Sequence, residues 1–392
     1  MTIDLTRARR ETPAVEHLLH FNNAGAGLIP QPVLDAVLDH LRLEAAIGGY
    51  EAETQAADAL EHTYDAAAAL LNCARDEIAV VENATRAWDM AFYSVPLGPG
   101  DRILTAQAEY ASNYIAYLQV ARKTGATVEA IPNDESGQIS VEALRNAIDD
   151  RVKLIAMTHV PTNGGLVNPA AAVGRVAREA GVLYLLDACQ SVGQMPIDVQ
   201  AIGCDMLSGT GRKYLRGPRG TGFLYVRRDV LERLEPPLLD LHAAEWTAPD
   251  RYTLRPDARR FENWETNFAG KIGLGVAMDY ALGWGLDAIW ARVQALANDL
   301  RARLREIPGV TVTDIGAEQC GIVTFTVAGH EPAAIREALH AHQINVWIST
   351  RSSTLLDMTA RGLDTVVRAS VHYYNSEEEV ARFCATLAAL YA

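Results

Sequence analysis

Lysine is nearly missing from this chain: its 392 residues include only Lys123, Lys153, Lys213 and Lys271. The remaining basic residues are arginines, and 35 Lys+Arg against 49 Asp+Glu leave a formal charge of −14. No basic run occurs, and nucleic acid and anionic membranes are therefore poor partners, since both need a positive stripe. No stretch of 18 apolar residues is present for a membrane span. The opening MTIDLTRARRETPAVEHLLHFNN lacks the apolar core and cleavage signature of a secretory signal. Cysteine is scarce too. Cys73, Cys189, Cys204, Cys320 and Cys384 are odd in number and scattered, with no C-x-x-C pair. They read as free thiols in a reducing compartment, so a soluble, cytoplasmic protein is expected. His340 and His342 stand two apart without companion ligands, and no metal site is expected.

What is present is an α/β rhythm. At roughly 100–200 residues per domain the length allows two or three domains. From about residue 60 to 230, short apolar runs alternate with helical patterns, as in βα units around a mostly parallel sheet. Strands are predicted at Glu77–Glu82, Arg102–Ala106, Val128–Pro132, Lys153–His159, Val182–Leu186 and Gly222–Val226, with another at Asp205–Leu207. Helices are predicted from Ala84 to about Val95, over Asn113–Gly125 and over Pro169–Ala180, the last with Asn168 as its cap. Beyond about residue 260 the texture changes. Long helices at Gly270–Gly285 and Asp287–Ile307 precede strands at Val310–Val312, Gly321–Val327 and Ile344–Ser349, with helices at Pro332–His342 and Glu377–Tyr391. This predicts a smaller α+β C-terminal domain. The expected division is 16–262 and 263–392, with residues 1–15 packing on the smaller part.

Ligands of open α/β sheets bind beyond the carboxyl ends of the strands, so the residues following each strand are the ones to weigh. Asn83-Ala84-Thr85 opens a helix, where free N–H groups and the helix dipole suit a phosphate, although such a Thr also serves as a plain cap. Asp187 ends a continuous apolar run, and a carboxylate there either meets a cation or caps the next helix. The stretch SGTGRKYLRGPRGTGFLY, Ser208–Tyr225, sets Lys213 among glycines and small residues. In a chain with three other lysines, that setting makes Lys213 a candidate carbonyl nucleophile.

Asp187-Ala188-Cys189-Gln190, followed 26 residues after the Asp by Lys213 and then by Gly217-Pro218-Arg219-Gly220-Thr221-Gly222, resembles the class V aminotransferase family of fold type I pyridoxal-phosphate enzymes. FNNAGAGLIP resembles that family's opening loop, RFENWETN (Arg260–Asn267) its phosphate-contacting turn, and VRASVHYYNSEEEV (Val367–Val380) its carboxylate-binding segment. The resemblance implies a large domain with a mostly parallel seven-stranded sheet and a small C-terminal α+β domain. It implies that Lys213 carries pyridoxal 5′-phosphate and shuttles the substrate α-proton. Asp187 would pair with the pyridinium nitrogen, and Gln190 would bond the phenolic oxygen, as would Thr162 or Asn163. Ala84, Thr85, Thr210 and Arg212 would hold the phosphate. Relatives often place His where Arg212 stands. Thr266 would reach the phosphate of a neighbouring subunit, implying a homodimer with shared sites. Arg368 would clamp the α-carboxylate of an amino-acid substrate.

The pattern also departs from the family. Tyr110 occupies the place of a ring-stacking, proton-transferring His; it keeps the stacking surface with a weaker acid. The loop Val346–Met358, where desulfurases carry a nucleophilic Cys, has none. Arg351 is close enough in sequence to supply a carboxylate-binding group, and Asn23 lies in an opening loop expected to face the substrate. These features favour a C–S lyase acting on a cysteine S-conjugate or sulfoxide. Transamination or epimerisation is the alternative within the cofactor class, and a cofactor-free scaffolding relative is the alternative outside it.

Overall fold

The apolar runs assemble into one central sheet. A computed structural model describes residues 2–391, and seven strands form its large sheet: β1 (Ile78–Val81), β2 (Arg102–Ala106), β3 (Thr127–Ile131), β4 (Val152–Thr158), β5 (Leu183–Asp187), β6 (Met206–Thr210) and β7 (Gly222–Val226). Their spatial order is β1-β7-β6-β5-β4-β2-β3. Only β7 runs against its neighbours, so the sheet is mixed but mostly parallel.

Strand β5 shows why a continuous apolar run was needed. Tyr184 and Leu186 pack into one hydrophobic cluster while Leu183 and Leu185 pack into another on the opposite face, as a strand covered by helices on both sides requires. The covering helices include α1 (Gln31–Ile47), α2 (Ala57–Leu71), α3 (Ala84–Phe92), α4 (Ala111–Thr124) and α5 (Ala170–Ala180). Helix α3 stops at Phe92 rather than near Val95. Asn168 is not the cap of α5: Pro169 takes that position, while the buried Asn168 side chain accepts from the Ile139 N–H and donates to the Thr158 carbonyl. It therefore ties strand ends together instead of starting a helix.

Two long helices follow, α6 (Phe268–Trp284) and α7 (Leu286–Glu306). Helix α6 lies against α1 and α2, with the Thr63 hydroxyl donating to the Lys271 carbonyl at 3.0 Å. We retain 16–262 and 263–392 as a proposed division, with α6 as the element that crosses between the parts. A second, antiparallel sheet of order β8-β9-β11-β10 comprises β8 (Val310–Val312), β9 (Ile322–Val327), β10 (Trp347–Thr350) and β11 (Thr365–Ser370). Helices α8 (Pro332–Ala341) and α9 (Glu377–Tyr391) pack near it. The run predicted as one strand over Ile344–Ser349 is two: Ile344–Asn345 pairs in parallel with Leu19–His20, and Trp347–Thr350 pairs with β11. A buried ion pair, Arg301 to Asp314 at 2.7 Å, fixes α7 to the turn after β4, because Asp314 also accepts from the Gly165 N–H. No strand was predicted for β11 or for the exposed hairpin Ala244–Ala248 with Arg251–Leu254. Among the described residues, no helix is long and apolar enough to cross a membrane.

Candidate active site

The carboxyl ends of β2, β4, β5 and β6 converge on a chamber of about 230 Å³ lined by Tyr110, Thr162, Asp187, Cys189, Thr210 and Lys213 among others. Asp187 is the last residue of β5 and is buried. Its Oδ1 accepts from the Cys189 N–H at 2.9 Å and its Oδ2 from the Asn113 amide at 3.0 Å. Neither donor is charged, so a buried carboxylate faces the chamber with no cation beside it among the described residues. That is an unstable arrangement until a positively charged group arrives.

Tyr110 caps α4 and stands at the chamber wall. Its backbone N–H is held by Glu109 Oε1 at 2.8 Å. Glu109 is buried and receives further donors from Thr105, Asn113 and Thr158. Burial, aided by the nearby Asp187 charge, pushes the Glu109 carboxyl up despite those donors. Helical spacing makes this possible: Asn113 is three residues beyond Tyr110 and so returns to the same end of α4.

Across the chamber, Ala84 and Thr85 occupy the first turn of α3, whose Asn83 cap accepts from the Arg86 N–H at 2.9 Å. Strand β7 reaches this turn only because residue 222 is glycine: a Cβ there would lie 2.5 Å from the Asn83 carbonyl carbon and 2.8 Å from the Ala84 nitrogen. The loop 22–27 crosses the Arg212–Lys213 backbone just as closely. The Gly27 N–H donates to the Arg212 carbonyl at 2.9 Å, and a Cβ on Gly27 would sit 2.5 Å from the Lys213 carbonyl oxygen. The Arg212 guanidinium donates to the Gly25 carbonyl. Lys213 Nζ projects into the chamber 3.2 Å from Cys189 Sγ, and burial outweighs this amine and raises the thiol.

A second, outer chamber of about 380 Å³ opens beyond Lys213 and shares Tyr110, Thr162, Arg212 and Lys213 with the first. Arg368, on β11, is buried there. It donates to the Thr162 hydroxyl at 2.6 Å and to Asn22 Oδ1 at 3.4 Å, while its Nε has no partner. Burial lowers this guanidinium to about 10. Gln190 Nε2 reaches the Ala24 carbonyl and the Thr162 hydroxyl, leaving its buried Oε1 unpartnered at the chamber.

Not every expected residue arrives. Thr162 lines both chambers; Asn163 lines only the outer one, its amide donating away from it to the Thr350 carbonyl and the Thr354 hydroxyl at 2.9 Å each. Asn23 is fully buried, donating to the Ser370 carbonyl and accepting from Tyr374, and its neighbour Asn22 faces the outer chamber instead. Arg351 is committed to Asp364 and the Leu363 carbonyl and lines neither chamber. Thr266 lies outside both. Sequence reasoning gave no site role to Asn113, Cys189 and Arg219, all of which line a chamber. Cys189 stood inside the Asp187–Gln190 motif, and Asn113 carried the spacing signal from Tyr110.

An α/β enzyme with a lysine, a buried carboxylate at a strand end and a helix N-terminus around one chamber has the architecture of fold type I pyridoxal-phosphate enzymes. The chain belongs to the family described as aminotransferase class-V, whose model matches residues 19–383. It is 29% identical over 388 residues to a probable cysteine desulfurase of Methanothermobacter thermautotrophicus, covering 97% of this chain and 96% of that one. It is 30% identical over 386 residues to a probable cysteine desulfurase of Pyrococcus abyssi, covering 97% and 96%. The apo structure of cysteine desulfurase from Thermococcus onnurineus NA1 superposes with a TM-score of 0.92 at 28% identity, covering 100% of this chain and 98% of that one. The cystine C–S lyase C-DES, in complex with cysteine persulfide, shares the fold with a TM-score of 0.87 at 24% identity, covering 96% and 99%. The protein is a pyridoxal phosphate-dependent enzyme of this family. Its residues fit the cofactor: the uncompensated Asp187 suits a pyridinium nitrogen, the α3 turn suits a phosphate, and Lys213 suits an aldehyde.

Proposed function

We propose that this enzyme cleaves a C–S bond by β-elimination from a cysteine S-conjugate or its sulfoxide. The observation that carries the reading is the loop over the outer chamber: it contributes Trp347, Ile348, Ser349 and Ser353 and no thiol. A persulfide-forming desulfurase needs a thiol there to take the sulfur atom. Cys189 lies in the inner chamber against Lys213, with its thiol held neutral by burial. The likeness to proteins named as cysteine desulfurases therefore supports the fold and the cofactor, and the thiol-free loop is what favours elimination over desulfuration here.

When bound, pyridoxal phosphate supplies the electron sink that acidifies the substrate α-carbon. Lys213 takes the α-proton, Asp187 holds the positive ring nitrogen, and Arg368, supported by Thr162, holds the α-carboxylate. Tyr110, at the wall shared by both chambers, offers its ring as the stacking surface for the cofactor. The Cβ–S bond breaks with its electron pair on sulfur, which takes up a proton and leaves as a thiol from an S-conjugate or as a sulfenic acid from a sulfoxide, and water converts the remaining three-carbon fragment to pyruvate and ammonia. Thr266 is assigned to the phosphate of a second copy, making the functional unit a homodimer.

S-ethylcysteine incubated with the holoenzyme is expected to give pyruvate and ethanethiol in equal amounts. A lasting conversion of the cofactor to its amine form without pyruvate would instead establish transamination, and persulfide on the protein would establish desulfuration.

A further inference from the structure

The outer chamber is electrostatically at odds with the protein that surrounds it. The chain carries −14 overall, yet the residues lining this chamber include Arg212, Lys213, Arg219 and Arg368 and no Asp or Glu. Arginines elsewhere are commonly paired, as Arg102, Arg259, Arg292 and Arg301 are with carboxylates. Among the described residues none of the four chamber cations forms such a pair. Like charges around one cavity repel, and an anionic ligand relieves that repulsion; Arg368 is buried, Arg212 and Lys213 are half-buried, and Arg219 stands exposed at the rim, where an incoming anion meets it first.

The demands of the proposed reaction use up three of the four. Arg212 and Lys213 also line the inner chamber, where they face the cofactor's phosphate and aldehyde positions. Arg368 is buried, with its Nε unpartnered, and takes the α-carboxylate. Arg219 lines the outer chamber alone, on the turn between β6 and β7, and has no task left in the reaction. Between the charged groups, Ala24, Ala26, Trp347 and Ile348 form an apolar wall suited to a thioether stem.

We propose that this site is selective for amino acids whose side chain ends in a second anionic group, with Arg219 as the specificity-determining cation. The substrate class is then an acidic cysteine S-conjugate, in which Arg368 holds the α-carboxylate and Arg219 the distal acid. The assignment of the leaving sulfur rests on the C–S cleavage reading; the preference for two anions rests on the chamber's charges.

The two are separable. Succinate and butyrate have the same carbon count and differ by one carboxylate. Titrated into holoenzyme and followed by the cofactor absorbance, succinate is expected to bind about fivefold more tightly, the effect of one solvent-exposed ion pair at about 1 kcal/mol. Arg219→Gln should bring succinate down to butyrate's affinity and leave butyrate unchanged, and Arg219→Lys should keep most of the preference. Equal binding of the two acids by the wild type, or equal weakening of both in Arg219→Gln, overturns the proposal. In turnover, S-carboxymethylcysteine should exceed S-ethylcysteine in kcat/KM by a similar factor. Pyruvate from both at the same kcat/KM refutes the acidic class and leaves C–S cleavage standing. No pyruvate from either, with the succinate preference intact, refutes C–S cleavage and leaves the two-anion selectivity standing.

Discussion

Asn113 bridges to Asp187: one amide nitrogen donates to Asp187 Oδ2 at 3.0 Å and to Glu109 Oε1 at 2.9 Å. Both amide protons are thus spent between two buried carboxylates, and Glu109 in turn holds the Tyr110 backbone. The carboxylate proposed to face the ring nitrogen and the tyrosine proposed to lie beside the ring are thus positioned by one helical turn. Asn113→Leu removes the one donor shared by the two carboxylates, leaving Asp187 with the Cys189 N–H and Glu109 with Thr105, Thr158 and the Tyr110 N–H. Loss of a hydrogen bond to a charged group costs about 1.5–3 kcal/mol, so the affinity of apoenzyme for pyridoxal phosphate should fall roughly 10- to 100-fold. An absorbance titration measures it; an unchanged affinity in a folded variant removes Asn113 from this role.

Lys213→Ala should abolish the absorbance band of the cofactor joined to the protein and reduce turnover by at least about 10²–10⁴-fold, the usual contribution of a positioned acid–base group. A spectral titration and a pyruvate assay read the two effects independently. A wild-type-like band in the variant would place the cofactor's attachment elsewhere among the four lysines.

Gly222→Ala should damage both stability and cofactor retention. The added methyl meets backbone atoms at 2.5 and 2.8 Å, which cannot swing away. Overpacking of this kind costs about 1–3 kcal/mol. Gly283→Ala is the control: nothing lies within 4 Å of its Cβ, and its place inside α6 makes it neutral or stabilising by up to about 1 kcal/mol. Thermal unfolding with and without cofactor compares them.

Acid sensitivity should come from buried neutral histidines. Burial lowers His159 to about 4, against 6.5 in the open chain. Between those values the unfolded chain binds the extra proton and the native state does not. Stability therefore rises with pH across this window and is lost as pH falls from 6.5 toward 4, by roughly 3 kcal/mol at about 1.4 kcal/mol per pH unit. His20 and His372 are shifted in the same direction. Denaturant titrations at pH 7 and 5 should show the loss in wild type and a smaller loss in His159→Gln; an equal loss would assign the sensitivity to other groups.

The sheet and its strand-end residues were legible because the signals are local. Asp187 ends an apolar run, Lys213 sits among glycines, and Tyr110 follows β2 by a few residues. Direction within a turn is not local. Asn163 points at Thr350 and Thr354, and Asn23 at Ser370 and Tyr374. Those partners lie hundreds of positions away in the chain, so neither side chain's aim could be read from its neighbours. Arg351 fails at short range instead: Asp364, 13 positions on, claims it from a turn that has no sequence marker.

The Asn163 amide also bears on how such an enzyme diversifies. Because it grips the loop through the Thr350 carbonyl and the Thr354 hydroxyl, the anchorage comes mostly from outside the loop. Of the residues between those two points, Arg351 adds its pair with Asp364 and Ser352 its bond to the Thr350 hydroxyl, whereas Ser353 makes no side-chain hydrogen bond among the described residues and is the freest to vary. On the C–S cleavage reading, Ser353→Cys would set a thiol beside the outer chamber without touching the inner one, so a single position separates a loop with no sulfur acceptor from one that offers it.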